Sequence, residues 1–233
     1  MNEAEVEVAT KEGLRLLEEE PEGEVKMPEE IRIEKPNAEL YKEKRKLYCI
    51  SLLYSEKEAP EDYLEKINQY WNQVEEQVKK LEKAGKVNKI YHEAIYSAGE
   101  EGMKGIEKLN EKSYKLVTSK CEEGAELQPL EDRELFYECM DWRRCMILPF
   151  NSGIVLNKVL EFYKEASKKR YEYVAQRIDE TLKEGETGML IMNEDDRSNI
   201  PFPSDIEIFI VHPPVFADIQ QWIREQLRRK EEK

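Results

Sequence analysis

Residues 170–197, RYEYVAQRIDETLKEGETGMLIMNEDDR, decide the fold because they join a long helix to a short apolar strand and an acidic loop. Ala175, Ile178 and Leu182 are spaced three and four residues apart, which is typical of a helix face that packs against a core. GMLIM (188–192) is short and wholly apolar, as in strands buried on both faces. The stretch therefore predicts an α/β architecture.

Three further segments have the composition of strands. KLYCISLLY (46–54) is a continuous apolar and aromatic run. VNKIYHEAIYS (87–97) combines β-branched and aromatic residues, and IEIFIV (206–211) ends before two prolines. Helical periodicity separates these segments, from Leu64 to Leu81 and from near Ile154 to Glu184. We predict an α/β fold in which a small, mostly parallel open sheet has about four strands and helices on both faces. The predicted strands are 47–54, 87–97, 188–192 and 206–211, with a helical insertion at about 106–150 between strands 2 and 3.

Composition and charge limit where the chain acts. Its 233 residues carry a formal net charge of -14, and no apolar run approaches the ~18 residues of a membrane span. The N-terminus lacks the features of a signal peptide, so we expect a cytoplasmic protein with no membrane contact. Residues 1–40 are acidic and rich in proline, and we expect a partly disordered or helical extension before a single domain at 41–233. Abundant Glu and Lys favour a thermophilic source.

The negative charge opposes general binding to nucleic acid, because that binding depends on clustered Lys and Arg. Three short basic clusters occur, and we expect each to lie on the solvated face of a helix. The clusters are Arg143 with Arg144, Lys168 to Arg170, and Arg228 to Lys230.

The acidic loop is the first candidate site, since ligands of open α/β sheets bind beyond the carboxyl ends of strands. Glu194, Asp195 and Asp196 could bind a divalent cation, because hard cations prefer carboxylate oxygens. His212 ends the last predicted strand and could act as a catalytic acid or base if that strand is parallel to and beside 188–192. The alternative is a solvated turn stabilised by Asn193, Asp195 and Ser198. No other cofactor is indicated.

Two groups of residues are candidates for an interaction surface. Trp142, Arg143 and Arg144 have side chains that are frequent at interface hot spots. Tyr171 and Arg177 lie on the long helix and could form part of a groove, although Arg177 could instead pair with Glu180.

The sequence leaves open whether the chain is an enzyme. Because it contains no nucleophile elbow, P-loop or metal-ligand cluster, the first hypothesis is a non-catalytic cytoplasmic binding or regulatory module. Such a module would act through a helical surface on a protein partner or as a homodimer. One alternative is a divalent-metal-dependent hydrolase of the phosphoester class that uses the 193–197 loop and His212. The other is an RNA- or ribosome-associated factor. The long helix followed by GMLIM resembles domains of release-factor-like proteins, but no GGQ sequence occurs, so peptide release is not implied.

Overall fold

The computed structural model describes residue 41, residues 43–54 and residues 59–231, without the side chains of residues 227, 230 and 231. The predicted N-terminal extension, residues 1–40, lies outside the described residues. The described residues belong to one compact unit, Asn37–Lys233. No helix in this part of the chain is both long and apolar enough to cross a membrane.

Within the described residues, five parallel strands form one sheet with the order β3-β2-β4-β1-β5. The predicted α/β class with a parallel sheet is confirmed, and the count exceeds the prediction by one strand. The additional strand, β3, lies within the predicted helical insertion and forms at one edge of the sheet by pairing with β2. The strands are β1 (Arg45–Ser51), β2 (Val87–His92), β3 (Glu126–Gln128), β4 (Thr187–Met192) and β5 (Ile206–Val211).

Seven helices are present in the described part of the chain. The predicted long helix is confirmed as α5, and Ser152 caps its start by accepting a hydrogen bond from the backbone N–H of Val155. The helices are α1 (Glu61–Leu81), α2 (Gly99–Leu109), α3 (Glu111–Glu122), α4 (Arg133–Cys145), α5 (Gly153–Thr181), α6 (Glu194–Arg197) and α7 (Val215–Glu231).

The sheet separates two apolar cores. Successive side chains of a strand point to opposite faces, so Tyr48 of β1 packs in one core and Leu47 packs in the other. The first core also contains buried residues of α1, α2, α3 and α7. The second core contains the C-terminal half of α5, including Val174 and Ile178. Helices therefore cover both faces, as predicted.

The second strand is shorter than predicted. It ends at His92, not at residue 97, because the chain turns at Ala94, which has a φ of 61°. This turn places Glu93 at the carboxyl edge of the sheet instead of in the middle of a strand. Its backbone N–H donates to the carbonyl oxygen of Ile191 in β4.

Helices α4 and α5 form an antiparallel hairpin. The ring of Trp142 stacks on that of Phe162, with centroids 4.8 Å apart, and Cys139 Sγ lies 3.4 Å from Ser167 Oγ. The N-terminal half of α5 thus packs on α4, whereas its C-terminal half packs on the sheet. We call residues 146–158, which join the two helices and form the first turn of α5, the hairpin tip.

Candidate functional site

Acidic residues converge beyond the carboxyl ends of the central strands. All strands are parallel, so the residues that follow β2 and β4 meet at the same edge of the sheet. Glu93 follows β2, and its Oε2 accepts a hydrogen bond from the backbone N–H of Asn193 at 2.9 Å. Asp196 lies in α6, directly after β4. This is the edge at which the sequence predicts a site.

Arg170 lies on α5, the helix that packs on one face of the sheet, and it forms ion pairs with both of these acids. Its side chain is completely buried, and its Nε and Nη2 donate to Glu131 at 3.0 and 2.6 Å. Nη1 donates to Asp196 Oδ2 at 2.9 Å, and Nη2 donates to Glu93 Oε1 at 3.1 Å. One guanidinium therefore links three carboxylates from three different connections of the sheet.

The second oxygen of Asp196 is also occupied. Asp196 Oδ1 accepts hydrogen bonds from the hydroxyl of Tyr171, at 2.8 Å, and from Nη2 of Arg143. Arg143 donates in addition to the hydroxyl of Tyr163 at 3.0 Å. We refer to Glu93, Glu131, Arg143, Arg170, Tyr171 and Asp196 together as the Arg170 network.

Burial and ion pairing oppose each other within the network. Burial raises the pKa of Glu93, and the nearby charge of Arg170 only partly reverses this shift. Burial also acts to raise the pKa of Asp196, but the hydrogen bond from Arg143 and the charge of Arg170 outweigh it, so that pKa is lowered. Asp196 is therefore held as a carboxylate at neutral pH, and its charge is neutralised by two guanidinium groups.

An open groove lies over the network. Its larger part has a volume of about 480 Å³, and an adjoining part of about 330 Å³ reaches Asp196. Tyr163, Tyr171 and Asn199 line both parts. Asp196 lines the smaller part of the groove, and both of its carboxylate oxygens already accept hydrogen bonds from side chains of the network.

The three acids predicted as metal ligands have different surroundings. Asp196 is buried in the network, Asp195 is exposed, and Glu194 Oε1 lies 3.6 Å from Arg197 Nη2. The alternative prediction is a solvated turn: Asn193 Oδ1 accepts from the N–H of Asp195 at 2.9 Å, but Asp196 and Arg197 of the same turn are buried. Among the residues that the structure describes, no three His, Cys, Asp or Glu side chains are grouped to hold a metal ion.

His212 is not beside the acidic loop. The condition for its predicted role is wrong, because β1 lies between β4 and β5 and separates them by roughly 10 Å. His212 is exposed, and its ring makes an edge contact with Phe216 of α7, with centroids 4.4 Å apart.

The predicted interaction residues occupy both parts of the hairpin. Tyr171 and Arg143 belong to the Arg170 network. Arg144 is exposed and pairs with Asp141 at 2.8 Å. Arg177 pairs with Glu180 at 2.8 Å, as its alternative predicts. Trp142 packs on α5 near the hairpin tip.

The position of Arg170 contradicts one prediction from the sequence. Arg170 belongs to a basic cluster that is predicted to lie on a solvated helix face, but its side chain is completely buried. Ala166, Arg170, Val174 and Ile178 are spaced four residues apart, so Arg170 lies on the face that packs inward. This spacing is the signal that could have identified it. Glu93 and Glu131 carry no comparable signal.

The hairpin tip is the second notable feature. Ile147 and Leu148 of the loop retain 81% and 59% of their surface, and Ile154, Val155 and Leu156 retain 78%, 47% and 37%. Large apolar side chains this exposed and this close together are unusual on soluble proteins and mark interaction sites.

Comparison with known proteins finds no matching family model, no similar curated protein and no similar solved structure. The fold and the site define a class in structural terms. The protein is a parallel α/β protein whose helical hairpin is attached to the carboxyl edge of the sheet by buried ion pairs.

Proposed function

We propose that the protein is a non-catalytic binding module that acts through the helical surface of the α4–α5 hairpin. The observation that carries the proposal is the cluster of exposed apolar side chains at the hairpin tip. Burying such side chains against a partner is favourable by about 25 cal/mol for each Å² removed from water. A tip formed by one loop and one helical turn can enter a partner without a change in the rest of the fold.

The Arg170 network supports the proposal by orienting the hairpin. Glu131 precedes α4, Arg143 lies near its end, and Arg170 lies in α5. Glu93 and Asp196 belong to the sheet edge, so the ion pairs connect both helices of the hairpin to the sheet. Hydrogen-bonded ion pairs have directional geometry, which apolar packing lacks.

The hydrogen bonds that the carboxylates of the network already accept agree with a positioning role. Both oxygens of Asp196 and both oxygens of Glu131 accept hydrogen bonds from arginine. A general base or nucleophile needs an oxygen that faces its substrate. The hydrolase and RNA-associated alternatives, like the cytoplasmic location and the protein partner or second copy, stay predictions.

Photo-cross-linking in cells tests the surface. A photoreactive amino acid at Ile154 should give adducts, and the same amino acid at Ile210 of β5 provides a control at an exposed apolar side chain outside the hairpin. We expect adducts from Ile154 that are absent from Ile210. Equal adduct formation at both positions, or none at Ile154, would contradict the proposal.

A further inference from the structure

The apolar side chains of the hairpin tip face several directions. Ile154, Val155 and Leu156 are consecutive helical residues, so each is turned by about 100° from the one before, and all three are exposed. Ile147 and Leu148 add apolar surface from the loop. A flat partner would cover one side of such a tip, whereas a fluid apolar phase would surround it.

Near the tip, each of the two helices carries an ion pair whose cation lies closer to the tip than its acid. On α4, Arg144 pairs with Asp141, and on α5, Lys158 pairs with Glu161. The cation of each pair is three residues, or about 4.5 Å of helix, nearer to the tip than its acid. Both pairs are exposed to solvent, so they are weak and can open when another anion approaches.

The sequence has the same polarity over the whole tip. Residues 142–160 contain no Asp or Glu, although the chain has 51 acidic residues against 37 basic ones. Arg143 in this range pairs with the buried Asp196, which leaves Arg144 and Lys158 as the exposed cations nearest the tip. The tip is therefore apolar at its end, basic behind that end, and acidic only farther along each helix.

We infer that the hairpin tip inserts into the surface of an anionic lipid membrane. The inference rests on the proposed function and names the partner of the same surface. From Ile154 to Lys158 the helix rises about 6 Å, which matches the roughly 5–10 Å to which interfacial segments are buried. Apolar side chains would then lie at the acyl chains, and Arg144 and Lys158 at the anionic headgroups.

The acids that follow the central strands do not prevent this contact. Ile154 lies sixteen residues before Arg170 and nine before Tyr163, which Arg143 contacts, so the tip is roughly 24 Å along the helix from Arg170 and roughly 13 Å from the level of Arg143. At physiological ionic strength, charges are screened over about 8 Å. The tip can therefore reach an anionic surface while the acids at the sheet edge stay more than one screening length away.

Insertion of a tip differs from spanning a bilayer. The sequence prediction of no membrane contact depends on the lack of a segment of about 18 apolar residues. Interfacial binding requires only apolar surface on a helix or loop together with nearby basic residues.

Flotation of the full chain with vesicles tests the inference. Vesicles of phosphatidylcholine mixed with phosphatidylglycerol should bind the protein, and phosphatidylcholine alone should bind it more weakly.

Leu148→Ser with Ile154→Ser should weaken binding at least about tenfold, because apolar burial is lost. Arg144→Gln and Lys158→Gln should each weaken it roughly fivefold at low salt, and less at high salt. The matched control is Ile208→Ser with Ile210→Ser, two exposed apolar residues of β5 whose replacement should leave binding unchanged.

The tip residues are exposed, so the tip variant should keep the melting temperature of the parent chain. No flotation of the parent chain, equal flotation of the tip variant, or equal binding to both kinds of vesicle would each overturn the inference. Adducts of Ile154 with a protein, combined with no vesicle binding, would overturn the membrane partner while the proposed function stands. Loss of adducts and of vesicle binding together would remove both.

Discussion

Replacing Arg170 by Met tests the role of the buried network most directly. Met is unbranched and apolar and can fill most of the space of the arginine stem, so the change chiefly removes the guanidinium. That group makes five hydrogen bonds to three carboxylates. The side chains of Glu131, Asp196 and Glu93 are only 0%, 1% and 8% exposed, so water cannot replace the lost partner.

Removing one partner of a buried ion pair costs about 3–5 kcal/mol of unfolding free energy. For a chain of this size, each kcal/mol lowers the melting temperature by about 2–4 °C, so we expect a decrease of about 6–20 °C. Urea unfolding at neutral pH measures the same loss as a lower midpoint. The control is Arg177→Met on the same helix, whose exposed pair with Glu180 should be worth no more than about 0.5 kcal/mol.

The deficit of the Arg170→Met variant should depend on pH. Without the cation, burial acts on Glu93 unopposed by Arg170, so the pKa of Glu93 rises further above its value in the unfolded chain and the folded variant binds more protons than the unfolded one. The stability of the variant relative to the parent chain should therefore recover as the pH falls through that raised pKa towards about 4.5. A deficit below about 1 kcal/mol, or one that does not change between pH 7 and pH 5, would refute the reasoning.

Three further predictions concern other parts of the fold. Burial lowers the pKa of His92 to about 4, so the free energy of unfolding should fall by at most about 3 kcal/mol as the pH drops from about 6.5 to about 4. Urea unfolding measured at several pH values should show this decrease for the parent chain and a flatter dependence for His92→Asn. The same pH dependence in both proteins would contradict the lowered pKa of His92. Gly102→Ala would place Cβ 2.2 Å from the carbonyl oxygen of Ser97 and should cost about 1–3 kcal/mol. Gly153→Ala meets no atom within 4 Å and should add up to about 1 kcal/mol, so thermal shifts of the same sign would be inconsistent with this packing. Mn²⁺ should leave the melting temperature unchanged because both oxygens of Asp196 are engaged; stabilisation that disappears in Asp196→Ala would instead support the hydrolase alternative.

Much of the fold could be predicted from local sequence patterns. The strands β1, β4 and β5 and the helices α1 and α5 have apolar runs or helical stripes long enough to identify them. Strand β3 was missed because it has three residues, too few for an alternating pattern. It is a strand only because β2 is next to it, and this contact is not encoded in its own residues.

Strand order could not be predicted for a related reason. β4 lies between β1 and β2, although it begins 136 residues after the end of β1 and 95 residues after the end of β2. Every strand pair here is parallel, so no tight hairpin turn fixes which strands are neighbours. The expected closeness of His212 to the acidic loop failed on this point, because β1 occupies the place between them.

The candidate site was only partly predictable. The edge of the sheet and Asp196 follow from the general position of ligands in parallel α/β folds. Glu93, Glu131 and Arg170 are separated from one another by 38 to 77 residues, so their meeting depends on the tertiary fold. An arginine on an apolar helix stripe is nevertheless a sequence signal, because burying it requires acidic partners.

The network and the tip are connected by the continuous helix α5. Buried ion pairs contribute little net stability compared with apolar residues of similar volume, but removing one partner is costly. A fold that needed only stability at this edge could use apolar side chains. Directional bonds from Arg170 and Arg143 to the sheet edge instead fix the angle at which α5 leaves the body. Since Ile154 lies roughly 24 Å along that helix from Arg170, a rotation of ten degrees about Arg170 would move the tip by about 4 Å. A tip that must enter a surface at a set depth needs this constraint, whereas a solvated hairpin would not.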